Sequence, residues 1–158
     1  MNMQTNQIDT RLEARMSSLE DRSCLIMDDD AVFRERLAQA LTRAGFVVSA
    51  VGSVQDGLTV AQYNPPAFAV LDLRLDDGYG LDVAQQLRES RASTHIVVLT
   101  GYGALPNVVA SVKLGVQNVL AKPADIEDII NSLLAEPEHI PSAPETPMEP
   151  DDARLEYI

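Results

Sequence analysis

Between residues 23 and 135, short apolar runs alternate five times with segments whose apolar residues recur at helical spacing. Cys24-Leu-Ile-Met27 is an apolar run that stops at Asp28-Asp29-Asp30, and Phe33, Leu37, Ala40, Leu41 and Ala44 then follow a helical period. Gly45 is placed to stop that helix in a left-handed conformation, and Asp30 to cap its start. Phe46–Val51 is β-branched and predicts a second strand; Val54, Leu58 and Ala61 mark a second helix that must end by Asn64-Pro65-Pro66. Ala67–Leu71 is apolar throughout and ends at Asp72. A run apolar on both faces predicts a strand inside a parallel sheet covered on each side by helices. Leu81, Ala84 and Leu87 predict a third helix, and His95–Leu99 a fourth strand ending at Thr100. Pro106–Leu114 predicts a fourth helix, and Gln117–Ala121 a fifth strand ending at Lys122-Pro123. Ile126, Ile129, Ile130, Leu133 and Leu134 form the apolar stripe of a last helix. The fold class is therefore α/β, a single (βα)5 domain over residues 23–135, with functional residues expected at the carboxyl ends of the strands.

The flanks differ in character. Residues 1–22 are polar, but Ile8, Leu12, Met16 and Leu19 recur at four, four and three positions. That spacing suggests a short amphipathic extension, either a self-association seam or a leader that is helical only transiently. Residues 136–158 contain five of the nine prolines among acids, serine and alanine, and read as an extended linker. Leu155 and Ile158 mark the start of a helix that the chain does not continue.

Charge and cysteine usage narrow the function classes. The net charge is −12, and seven acids against one base between Glu136 and Ile158 supply half of it. Such a chain lacks the basic surface that binds nucleic acid, so tight DNA binding by these residues is not expected. No apolar run approaches the ~18 residues of a membrane span, and no signal peptide is visible. A single cysteine, Cys24, accords with a reducing cytoplasm.

The chemistry converges at the strand ends. With sheet order 2-1-3-4-5, Asp28, Asp29 and Asp30 after strand one lie beside Asp72 at the end of strand three. Converging carboxylates repel unless they are protonated or share a cation, and oxygen-only ligands in a loop favour Mg²⁺. Thr100 presents a hydroxyl with only Gly101 behind it, and Lys122 offers a point charge suited to an anionic oxygen. Taken singly, the Asp triplet is a solvated cap, the threonine structural and the lysine solvated. Together the set suits phosphoryl transfer to Asp72: cation and Lys122 neutralise the non-bridging oxygens, and Thr100 engages the product.

Leu-Ile-Met-Asp28-Asp29-Asp30, Ala-Val-Leu-Asp72-Leu-Arg-Leu, Val-Val-Leu-Thr100-Gly and Ala-Lys122-Pro123 resemble, in order and spacing, the receiver domain of bacterial two-component response regulators, a flavodoxin-like fold. The resemblance implies phosphorylation of Asp72 by a sensor histidine kinase, with Mg²⁺ held by Asp28, Asp29, Asp72 and the backbone carbonyl of Arg74. It implies a cis peptide bond before Pro123, self-phosphorylation and self-dephosphorylation as the only enzymic activity, and homodimerisation on phosphorylation. Asp72–Val83, Thr100-Gly-Tyr-Gly-Ala104 and Pro144-Glu-Thr-Pro-Met148 further resemble the RegA/PrrA/ActR group of global redox and photosynthesis regulators. Those proteins continue past a proline-rich linker into a small helix-turn-helix, and this chain ends at about that point. The expectation is a receiver whose transcriptional output runs through a DNA-binding domain not present in these residues; a stand-alone phospho-relay or interaction module is the alternative.

One position departs from the family pattern. Where an aromatic residue commonly precedes the lysine by three positions, this chain has Val119, so output must use other residues, with Tyr102 a candidate. A haloacid-dehalogenase-like phosphatase needs an Asp-x-Asp on strand one, whereas here the nucleophile candidate is on strand three and Arg74 takes the second position. His95 and His139 lack ligand spacing, Cys24 reads as a buried small hydrophobe, and Gly78 and Gly80 mark a tight turn.

Overall fold

In the computed structural model, which describes residues 13–101 and 105–135, the alternating pattern becomes a five-stranded parallel sheet with helices on both faces. In chain order the elements are β1 (Ser23–Met27), α1 (Ala31–Ala44), β2 (Val47–Val51), α2 (Val54–Tyr63) and β3 (Phe68–Asp72). After β3 come β4 (Arg74–Leu75), β5 (Gly78–Tyr79), α3 (Gly80–Ser90), β6 (His95–Thr100), α4 (Leu105–Lys113), β7 (Asn118–Ala121) and α5 (Ile126–Leu133). The large sheet runs β2-β1-β3-β6-β7, the 2-1-3-4-5 order expected once the small β4–β5 hairpin is set aside. That hairpin is antiparallel, pairing Arg74 with Tyr79 and Leu75 with Gly78, and was read from sequence only as a tight turn. The strands begin one residue later than the apolar runs at Phe46, Ala67 and Gln117.

The two-residue period of the strands divides the core into two halves. Cys24, Ile26, Phe68, Val70, Val97 and Leu99 face α1 and α5, where they meet Leu37, Leu41, Ile129 and Leu133. Leu25, Met27, Ala69, Leu71, Ile96 and Val98 face α2 and α3, where they meet Val54, Ala61, Val83 and Leu87. Phe68 packs edge-on against both Phe46 and His95, with ring centroids 5.2 and 5.3 Å apart.

The helix ends follow local chemistry. Asp30 caps α1, its Oδ1 accepting from the Val32 and Phe33 N–H groups at 3.1 Å. Gly45 closes α1 at φ 115°, a left-handed conformation that a side chain would strain. The Lys122–Pro123 bond is cis.

The N-terminal extension contributes to this fold. Residues 13–17 are helical, Met16 is buried in the α1/α5 half of the core, and Leu19 packs against it. Arg15 donates to the Leu134 carbonyl at the end of α5, and the Arg22 carbonyl accepts from Val47 at 2.9 Å. Asp21 pairs with Arg91 at 2.9 Å. The described part of the apolar stripe is thus occupied within its own domain rather than free as a seam. Ile8 and Leu12 lie outside the described residues, as do Tyr102, His139 and the whole linker. Among the described residues no helix is long and apolar enough to cross a membrane.

Candidate functional site

Strand register brings the acidic residues together. β1 and β3 pair Cys24 with Phe68 and Met27 with Leu71, so the next residues in line are Asp28 and Asp72. Both carboxylates follow the even-numbered positions that face α1 and α5. β3 pairs Asp72 with Leu99, the residue before Thr100, and β6 pairs Thr100 with Ala121, the residue before Lys122. Lys122 donates its own N–H to the Thr100 carbonyl at 2.8 Å, fixing where its side chain departs from the sheet.

The lysine closes the cluster. Its Nζ lies 3.0 Å from Asp28 Oδ2 and 3.1 Å from Asp72 Oδ2, and stands 5.6 Å from the centre of the Phe33 ring. Asp28 and Asp72 are buried, at 1% and 5% exposure, while Asp29 is exposed. Burial pushes the Asp72 carboxyl up, and the Asp28 charge adds to the rise; Lys122 and the Arg74 backbone N–H oppose it without cancelling it. Burial alone would lower the Lys122 ammonium, but the Asp28 and Asp72 carboxylates beside it outweigh that effect and raise it.

Asp28, Asp29 and Asp72 each offer an oxygen within 4.8 Å of the others, a spacing that could hold one cation. Buried Asp28 Oδ2 makes no hydrogen bond; its neighbour at 3.0 Å is the Lys122 ammonium, paired by charge rather than by an aligned N–H. Three carboxylates against one ammonium leave the cluster negative, and hard oxygen donors with a negative excess fit a small divalent cation. The residues present therefore fit a metal of that class.

The surroundings hold these groups in place. Asp28 Oδ1 accepts from the Asp30 N–H at 2.9 Å, and the Asp28 carbonyl accepts from Arg34 Nη1 at 2.7 Å. Asp29 Oδ2 accepts from the Asp76 N–H at 3.1 Å, which ties the acidic loop to the β4–β5 hairpin. Thr100 is buried at 5% exposure at the end of β6, and Gly101 has open space where a side chain would lie. Arg74, two residues past Asp72, is exposed and its guanidinium lies 5.7 Å from the Tyr79 ring centre. A cavity of about 600 Å³ opens beside Lys122, lined by Asp30, Phe33, Arg36, Pro123 and Ile126 among others.

All of the carboxylates, Thr100 and Lys122 were visible in the sequence as strand-end residues. Phe33 beneath the ammonium and the Asp76 N–H were missed. A helix-stripe phenylalanine and a turn aspartate carry no one-dimensional sign of such contacts. Cys24 is 1% exposed with its thiol pushed up by burial, and His95 Nδ1 lies 3.0 Å from the Leu133 carbonyl, so neither belongs to the site. Val119 is half-buried against the α2/α3 half of the core.

Residues 24–134 match the response regulator receiver domain, and the chain belongs to that family. It is homologous to transcription-regulating response regulators. It is 51% identical over 138 residues to the photosynthetic apparatus regulatory protein RegA of Cereibacter sphaeroides, covering 87% of this chain and 75% of that protein. It is 47% identical to the acid tolerance regulatory protein ActR of Rhizobium meliloti, covering 87% of this chain and 71% of ActR. Among solved structures, a Burkholderia pseudomallei response regulator holding a phosphorylated aspartic acid, calcium ion and citrate superposes with a TM-score of 0.69. That pair is 33% identical, over 76% of this chain and 71% of the other. A CheY-like receiver domain from Methanospirillum hungatei gives 0.70 at 25% identity, over 76% and 98%. Membership in a two-component system implies a histidine kinase partner and regulated transcription.

Proposed function

We propose that Asp72 accepts the phosphoryl group from a sensor histidine kinase and that Mg²⁺, held by Asp28, Asp29, Asp72 and the Arg74 carbonyl, is required for the transfer. The observation that carries this reading is the Lys122 ammonium 3.1 Å from Asp72 and 3.0 Å from Asp28, among three convergent carboxylates. Bound there, the cation supplies charge neutralisation for the non-bridging oxygens of the phosphoryl group. Asp72 supplies the nucleophile: a carboxylate oxygen forms the new P–O bond as the P–N bond to the kinase histidine breaks, and the imidazole nitrogen takes up a proton. Lys122 neutralises a second non-bridging oxygen, and Phe33 beneath it limits where the ammonium can move.

Thr100 then turns its hydroxyl toward a phosphoryl oxygen and draws the following loop inward, which makes the event a switch. The neighbour with a phosphorylated aspartic acid and a calcium ion supports both the acyl phosphate and the divalent cation. The acyl phosphate is lost by hydrolysis within the same site, so self-phosphorylation and self-dephosphorylation are the enzymic activities assigned. A cytoplasmic setting belongs to the same reading, supported by the lone buried Cys24. Homodimerisation follows phosphorylation, and transcriptional output runs through a DNA-binding region outside residues 1–158. In domain terms, residues 23–135 are the receiver and 136–158 the linker toward that region.

The test is incubation with a small phosphodonor and Mg²⁺, comparing wild type with Asp72→Asn by intact mass. Wild type is expected to gain one phosphoryl group and the variant none. A gain that survives the substitution overturns the assignment.

A further inference from the structure

The acidic site is completed by a segment that no strand of the large sheet holds in place. The β4–β5 hairpin reaches the site through the Arg74 N–H on Asp72 and through the Asp76 N–H, which donates to Asp29 Oδ2 at 3.1 Å. Two residues each way, it makes only the Arg74–Tyr79 and Leu75–Gly78 pairs, and a hairpin of that length is not stable alone. Its next residue, Asp77, is anchored elsewhere. Asp77 Oδ1 accepts from the Val54 N–H at 2.9 Å and Oδ2 from the Gln55 N–H at 3.0 Å, both at the start of α2. Ser53 already caps that helix through the Asp56 N–H at 3.1 Å, so the Asp77 bonds are a second anchorage from 22 and 23 residues away. Gly78 beside it takes φ 153° and lies against Val54, at 3.6 Å from where a Cβ would stand.

We infer that Asp77 is a positioning residue for the metal site: its two-oxygen clasp on the start of α2 holds the hairpin so that the Asp76 N–H orients Asp29 and Arg74 stays beside Asp72. The inference rests on the site reading proposed above. A carboxylate that must present one oxygen to a cation benefits when its other oxygen is held by a donor, because the ligand is then oriented before binding. Asp29 is exposed and its Oδ2 accepts from the Asp76 N–H, so this donor sets its orientation. The backbone N–H bonds also hold the Asp77 carboxyl below its ordinary range, the response of a carboxylate clasped in its charged form.

The experiment compares Asp77→Ala, Asp77→Asn, Ser53→Ala and Asp29→Ala in the full chain. Mg²⁺ affinity is read by calorimetry, and exchange of the Asp76 amide by NMR in the metal-free protein. Asp77→Ala is expected to weaken Mg²⁺ binding about tenfold and to speed Asp76 exchange. Asp77→Asn keeps an oxygen for one N–H and is expected to restore most of both, within about threefold of wild type. Ser53→Ala lowers the melting temperature through the same helix end but leaves Mg²⁺ affinity unchanged, which separates positioning from helix capping. Asp77→Ala with wild-type affinity, or Ser53→Ala with an equal loss, overturns the inference while the site reading stands, provided Asp29→Ala abolishes binding. Wild type that binds no Mg²⁺ overturns the site reading and the inference that rests on it.

Discussion

Gly80 lies against the backbone of Asp72 so closely that a Cβ built on it would overlap the Asp72 carbonyl oxygen. Its own N–H donates to the Leu73 carbonyl at 2.7 Å, so the first residue of α3 is pinned directly behind the candidate phosphoacceptor. Relief has to come from backbone, since no flexible side chain is in the way. Gly80→Ala is therefore expected to cost roughly 1–3 kcal/mol, the range for overpacking a well-packed site. Urea denaturation checks it, and a loss below about 0.5 kcal/mol, the scatter of neutral surface changes, would count against this contact.

Lys122 is placed to neutralise charge rather than to hold a cation. Removing it in Lys122→Gln leaves three carboxylates without their ammonium, so Mg²⁺ affinity should equal or exceed that of wild type. Labelling by a small phosphodonor should meanwhile fall by roughly 100-fold, as when one transition-state donor is lost. Calorimetry and intact mass read the two effects separately. A fall in both together would assign the lysine a structural role instead.

Met16 tests whether the N-terminal extension belongs to the domain. Its side chain is 4% exposed, and its Cε would lie 3.1 Å from a Cβ on Gly45. Met16→Ala should destabilise the protein by about 2 kcal/mol, the low end for burying and then truncating such a side chain. Chemical denaturation with unchanged midpoint would return the extension to the status of a loose leader.

Asp21 predicts a pH dependence. Its carboxyl is lowered from 3.8 to about 2, first by the Ser23 N–H and hydroxyl and then by Arg91. A group depressed in the folded state adds stability that is present above 3.8 and lost as pH falls toward about 2. The stability difference between wild type and Asp21→Asn, measured by thermal melts, should be constant near neutrality and shrink between those values. A difference that grows on acidification would contradict the sign. The effect is small, because the pair is exposed and screened by solvent.

The position of the candidate site residues was legible in the sequence, yet the contacts around them were not. Asp72, Thr100 and Lys122 stand out because each ends an apolar run, and a run apolar on both faces has one reading in a covered parallel sheet. Parity then places Asp28 and Asp72 on one face, since the strand period is two and both follow even-numbered core residues. Asp30 and Gly45 were equally readable, because caps are decided by residues within a turn of each other.

What these 158 residues determined alone is therefore the periodic part: five strands, their covering helices, and the carboxylates, hydroxyl and ammonium at the strand ends. Tertiary structure decided the rest. Phe33 beneath Lys122, Asp77 clasping α2 from 22 and 23 residues away, and Met16 set into the α1/α5 core depend on distances between separate segments. Those distances arise when helices pack on a twisted sheet, and local propensity and spacing hold no record of them. The carboxylates at the strand ends can be read from their strands; the bonds from Asp77 to the start of α2 are found only where two loops meet.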